Sequence, residues 1–216
     1  MAKKGQLPVC RIACVKNFPH RYTWRNPASV WTCSDVHRVF IGIPVDQAAQ
    51  RQIDALLSPI KSSCQGVRWV PEHNRHLTLA FLGNRPAGVV ENIIRSMGRA
   101  YQHEKVFHTG FSDLRRFPGS SGNILALVFK VDAQLAHLFQ VTQELLVENG
   151  FDLTRTQFRP HITLGRFRRT PQLKTTLNQQ TNISLQVGKV IFYQSTLTQA
   201  GSIYLALKET GLHQSE

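Results

Sequence analysis

With 216 residues, 42% of them apolar, the chain can bury one real core and has room for a single domain or two small lobes sharing an interior, which excludes general disorder. Lys and Arg number 26 against 13 Asp and Glu, a formal charge of +13, so polyanions are the expected partners. The longest apolar stretches, Ile124 to Phe129 and Val187 to Phe192 with Lys189 inside it, fall far short of the roughly 20 residues of a membrane-spanning helix, and no membrane partner is expected.

Pro8, Pro19 and Pro27 interrupt residues 1–35 too often for a long helix, and no strand-like alternation lasts, so this stretch reads as a poorly ordered basic extension. It carries +5 of the charge and the body +8. Cys10, Cys14 and Cys33 lie in it, with His37 just beyond. Thiolate and imidazole suit tetrahedral zinc, but these spacings are looser than short-knuckle patterns, and three unremarkable thiols are the plainer reading. Cys64 stands alone in the rest of the chain, which argues against a disulfide framework and for a reducing cytoplasm.

From Val36 the texture becomes regular. Val39 to Val45 suits a buried strand, and Asp46 can cap a helix to about Leu57 with Ala49, Ile53, Leu56 and Leu57 on one face. Gly66 to Val70 and Arg75 to Leu82 read as strands around a turn at Pro71 to Asn74, and a helix follows from about Gly88 to Tyr101. Phe117 to Gly122 reads as a loop. Asn123 to Val131 is β-rich, and Asp132 can cap a helix ending near Asn149-Gly150. Arg159 to Phe167, Leu185 to Leu197 and Ser202 to Leu207 read as strands. Each half thus gives strand, helix, strands. The expected fold is α+β, internally duplicated, with two antiparallel sheets and flanking helices. Residues 36–210 form its single domain and 211–216 a tail.

One tetrapeptide recurs, once in each half: His76-Leu77-Thr78-Leu79 and His161-Ile162-Thr163-Leu164. Composition alone gives about 0.06 His-x-Thr-Leu strings in such a chain, so the repeat is a signal. On a strand, side chains alternate between faces. His76 and Thr78 therefore share one surface, as do His161 and Thr163, while the aliphatics anchor the opposite one. Two imidazoles can take and give a proton near neutral pH, and threonine hydroxyls and arginines can hold phosphate oxygens. That constellation suits in-line displacement at phosphorus and demands no metal.

These residues resemble the 2H phosphoesterases, and more closely their RNA 2′,3′-cyclic phosphodiesterase branch, long called 2′-5′ RNA ligases. The resemblance runs from about Val36 to Leu207. It rests on Phe40-Ile41-Gly42-Ile43-Pro44, on Gly66-Val67-Arg68-Trp69-Val70-Pro71 leading into His76-Leu77-Thr78-Leu79-Ala80-Phe81-Leu82-Gly83, and on Phe158-Arg159-Pro160-His161-Ile162-Thr163-Leu164-Gly165-Arg166. It implies a bilobal fold with both motifs lining a central cleft, no cofactor, and hydrolysis of a cyclic phosphate at an RNA 3′ end to a 2′-phosphomonoester. His76 then matches the proton donor and His161 the proton acceptor. Thr78, Thr163 and Arg166 match phosphate-binding groups, and Phe81 holds the place equivalent to Arg166 and packs on a nucleoside. The expected partner is RNA ending in a 2′,3′-cyclic phosphate, met by a monomer.

Arg166 poses a test of this assignment. It lies five residues past His161, so ideal alternation puts it on the wrong face unless Gly165 marks a bulge or strand end. Arg68, Arg75, Arg159, Arg168 and Arg169 are candidates for a basic track, each with a solvated surface role as the plainer reading. Trp69 reads as core rather than as a base platform. Rival readings are a 2′-5′ RNA ligase, a phosphodiesterase of small cyclic nucleotides or 2′-5′ oligonucleotides, and a non-catalytic RNA-binding module.

Overall fold

Val39, Ile41 and Ile43 are fully buried in the core along one face of β1 (Val36–Pro44), while Arg38, Phe40 and Gly42 alternate with them on the other, where Arg38 is exposed and Phe40 and Gly42 are covered by other groups. The structure is a computed structural model that describes residues 36–64, 66–152, 157–167, 179–180, 182–199 and 201–214. The N-terminal extension with its three cysteines, and Arg168 and Arg169, lie outside the described residues.

Asp46 caps α1 (Gln47–Ser63), where one carboxylate oxygen accepts the amides of Ala48 and Ala49. Its other oxygen accepts the Gln186 amide, tying the start of the helix to a distant strand. Ala49, Ile53 and Leu57 supply the buried stripe as expected, but the helix runs on through Pro59 to Ser63. β2 (Val67–Trp69) and a single 3-10 turn (Glu72–Asn74) lead into β3 (His76–Pro86), and α2 (Ala87–Ala100) buries Val90, Ile93 and Met97. β4 (Phe107–Phe117), absent from the sequence expectations, pairs with β5 (Ile124–Phe129). Asp132 caps α3 (Ala133–Glu148) through the Leu135 amide. β6 (His161–Phe167) carries the second motif. β7 (Gln179–Gln180) is a short further strand, and the single strand expected over Leu185 to Leu197 is two, β8 (Ser184–Val187) and β9 (Lys189–Thr198), parted at Gly188. β10 (Gly201–Gly211) follows. The chain stays engaged past the expected domain end at 210, because Leu212 is buried and His213 exchanges backbone hydrogen bonds with Glu104 and Val106.

All strand pairs are antiparallel, and the main path runs β10-β9-β1-β3-β6-β5-β4-β7, with β2 on β6 and β8 on β4. The α+β architecture is the expected one. In place of two separate sheets, two halves meet at a seam where β3 and β6 share a single register pair, Leu77 with Ile162. Either side of this seam the chain makes the same unit: β1, α1, β3 on one side and β5, α3, β6 on the other. One apolar core, from Ile41 and Leu77 through Met97 to Leu127 and Ile162, underlies both halves.

Candidate functional site

Leu77 and Ile162 are both fully buried, so the residues flanking them point to the opposite face. In an antiparallel pair the flanking positions are opposed crosswise. His76 therefore sits beside Thr163, and Thr78 beside His161. Such neighbours typically have Cβ atoms about 4.5–5.5 Å apart and diagonal ones about 7–8 Å, so the two imidazoles stand as diagonal neighbours across the seam. The seam thus gathers both histidines and both threonines on one surface, the motif face.

Each motif contains a bulge. On β6 the register passes from Ala126 with Thr163 to Leu125 with Gly165, leaving Leu164 as an extra residue. Parity is thereby reset: Val128, Ala126 and Ile124 of β5 share one face and pair with His161, Thr163 and Arg166. Arg166 is therefore on the motif face and exposed to solvent, and the straight strand that would have excluded it is not what forms. Gly165 makes the close approach possible, since a Cβ there would lie 2.6 Å from Val67 Cγ1 and 3.2 Å from Trp69 Cε3. Across from Arg166 on β2 stands the exposed Arg68.

The first motif repeats the device. β1 pairs Ile41 with Ala80 and Gly42 with Thr78, so Leu79 is the extra residue, and Leu82 is a second one before Val39 meets Gly83. Pro44, Gly42 and Phe40 share a face of β1 and pair with His76, Thr78 and Phe81. The ring of Phe81, 58% exposed, thus stands on the motif face in the position that Arg166 occupies on the other side of the seam.

Both imidazoles are held alike. Nδ1 of His76 lies 2.8 Å from the Asn74 carbonyl and Nδ1 of His161 lies 2.9 Å from the Arg159 carbonyl, two residues upstream in each case. A carbonyl only accepts, so Nδ1 carries the hydrogen and Nε2 is the atom offered to a ligand. Phe40 packs on His76 with centroids 4.6 Å apart, and Tyr204 meets it edge-on at 5.1 Å. Gly42 leaves room for that ring, since a Cβ there would lie 3.4 Å from His76 Cδ2 and 2.9 Å from the Leu77 carbonyl oxygen. Phe117 stacks on His161 at 4.1 Å and carries the Arg159 guanidinium at 4.7 Å.

Electrostatics separate the two rings. Burial pushes His76 down to about 4, against the partial compensation of its bond to the Asn74 carbonyl, and charge on His161 opposes it further. His161 is also lowered, first by burial and then by the charges of Arg159 and Arg166, with the Arg159 carbonyl acting the other way. At neutral pH both are neutral in the free protein, with unprotonated Nε2 atoms.

All six residues singled out in the motifs thus share one face. Arg75 departs from its expected place: it is 4% exposed and donates to Gln50 Oε1 at 2.9 Å and to Asp54 Oδ1 at 2.7 Å, so it braces α1 and is no part of a surface track. Trp69 packs against the core as expected. Phe40, Phe117 and Tyr204 are not among the site residues expected from the sequence, because isolated aromatics carry no spacing signal. Among the described residues no group of three or more His, Cys, Asp or Glu side chains converges as metal ligands do.

Residues 43–125 match the family model described as LigT like Phosphoesterase. A curated RNA 2′,3′-cyclic phosphodiesterase of Thermotoga maritima is 29% identical over 179 residues, covering 80% of this chain and 94% of that one. Another, of Archaeoglobus fulgidus, is 27% identical over 177 residues, covering 79% and 98%. The family model ends before the second motif, whereas an alignment over 80% of this chain necessarily includes both. The crystal structure of Escherichia coli LigT in apo form superposes with a TM-score of 0.67 at 25% identity, over 84% of this chain and all of that one. A Thermus thermophilus protein at 21% identity shares the fold, with a TM-score of 0.69 over 83% of this chain and all of its own.

Proposed function

We propose that this chain, which belongs to the LigT-like phosphoesterases, hydrolyses RNA 2′,3′-cyclic phosphodiester ends to 2′-phosphomonoesters with the body from residue 36 onward. The pairing of the two motifs at Leu77 and Ile162 supports this reading, because it brings the two strands that carry the imidazoles and the threonine hydroxyls side by side. His161 Nε2 takes a proton from water as the water oxygen bonds to phosphorus. The bond from phosphorus to O3′ breaks, and protonated His76 Nε2 gives its proton to the departing O3′. The products are a 2′-phosphate and a 3′-hydroxyl, and solvent exchange restores both rings. Thr78 and Thr163 donate to the phosphate oxygens, Arg166 offsets their charge, and Phe81 packs on the terminal nucleoside. No step calls for a metal.

The test is an oligoribonucleotide ending in a 2′,3′-cyclic phosphate, with hydrolysed and joined products scored together. His76→Ala and His161→Ala should each lower turnover by at least about 10²-fold while circular dichroism shows the fold intact. Turnover retained in either variant overturns the mechanism, and a joined product in place of the 2′-phosphate overturns the assignment to hydrolysis.

A further inference from the structure

β1 alternates without a bulge, so Arg38 points to the same side as Phe40 and Gly42, and it pairs with Asn84 of β3. The two bulges of β3 keep Asn84 on that side too. A row of groups therefore extends from the half-buried His76 and Thr78 past Phe81 to Arg38 and Asn84, the last three exposed. The Arg38 guanidinium leans back over the Phe81 ring at 4.8 Å. Among the described residues no carboxylate pairs with it. An exposed aromatic ring beside an uncommitted guanidinium matches a nucleotide in kind, with a π-face for the base or ribose and a cation for the phosphate. The other half of the motif face offers no such pair, since Phe117 is already engaged by His161 and Arg159.

We infer that Arg38 holds the backbone phosphate on the 5′ side of the terminal nucleoside packed on Phe81, and so makes the site favour RNA ends over cyclic mononucleotides. This rests on the proposed function for the placement of the terminal phosphate at the histidines. Arg38 lies two residues along β1 from the Phe81 row, about 7 Å farther from the histidines. An RNA chain leaving along this row would bring its next phosphate to Arg38. A cyclic mononucleotide has no phosphate there and gains nothing from Arg38.

The experiment compares Arg38→Gln with the parent protein on a cyclic-phosphate-ended oligonucleotide and on a 2′,3′-cyclic mononucleotide. Arg95→Gln, on the far side of α2 from this row, serves as the control for loss of one positive charge. Expected is a kcat/KM about 10-fold lower on the oligonucleotide, carried by KM, with the mononucleotide changed less than about twofold and Arg95→Gln inert on both. In a His76→Ala background, binding of the 2′-phosphate-ended product should lose about 0.7 from the slope of log affinity against log salt when Arg38 is changed, and Arg38→Lys should restore it. Equal effects on both substrates, or an unchanged salt slope, overturn the inference. Failure of the parent protein to hydrolyse either substrate would instead count against the proposed function, and the binding measurement would still decide the role of Arg38.

Discussion

Leu77 of β3 pairs with Ile162 of β6, and this contact makes each histidine the neighbour of the other motif's threonine. Along one strand His76 and Thr78 are separated by two residues, about 7 Å, whereas across the seam His76 and Thr163 are direct neighbours. The functional unit is thus shared between the repeats. Each half supplies an imidazole to a site that the other half completes.

From this neighbour relation, Thr163→Val should move the titration and chemical shifts of His76 more than those of His161, and Thr78→Val the reverse. Histidine NMR on the two variants reads this directly. The opposite pattern would mean that each threonine serves the histidine of its own motif and that the strands are not opposed as described. Both variants should also lose about 10²-fold in kcat/KM, the usual cost of a donor aimed at developing charge.

The bulge at Leu164 sets where Arg166 points, and Gly165 allows it. A methyl carbon at residue 165 would lie 2.6 Å from Val67 Cγ1, so the Val67 side chain or β2 itself has to shift. Gly165→Ala should therefore cost about 1–3 kcal/mol in urea unfolding. It should also raise KM, because Arg166 is re-aimed. A variant as stable and active as the parent would show that β2 yields freely and that the close packing is incidental.

Features set by local pattern were legible in the sequence. The repeated motif, the capping residues Asp46 and Asp132, and the apolar stripe of α1 depend on neighbours a few positions away. What depends on pairing was not. β4 alternates buried Phe107, Thr109 and Phe111 with exposed His108 and Gly110, yet its polar residues hide a strand that β5 and β8 define from either side. The bulge at Leu79 reads as an ordinary apolar position, since an extra residue shows only against a partner strand, and the one at Leu164 is signalled only by the odd offset of Arg166 next to Gly165. Arg75 looked like a surface charge because Asp54 and Gln50, which enclose it, lie 21 and 25 positions away.

Burial of His76 makes stability depend on pH. Its value is about 4 in the folded protein and 6.5 in an unfolded chain, so between these pH values the unfolded state takes up a proton that the folded state refuses. Stability is then full above pH 6.5 and is lost as pH falls, by about 2 kcal/mol at pH 5 from this group. Urea unfolding at pH 7 and pH 5 should show this loss in the parent protein, and a loss smaller by about that amount in His76→Gln. Equal losses in the two proteins would rule out a buried neutral His76.

A proton donor must carry its proton when the substrate is bound, although the free protein keeps His76 neutral at pH 7. An anion facing Nε2 can reverse the effect of burial, because opposite charge favours the protonated ring. Inorganic phosphate should therefore raise the His76 titration from about 4 by more than one pH unit, read by NMR with and without the ligand. The same reasoning orders the activity profile. Both limbs of kcat/KM, which reports the free protein, should lie below pH 6.5, since burial holds His76 at about 4 and burial, Arg159 and Arg166 lower His161. The basic limb of kcat should follow His76 in the complex, and neither limb should move with EDTA. If His76 stays neutral down to pH 5 in saturating phosphate, another group delivers the proton to O3′.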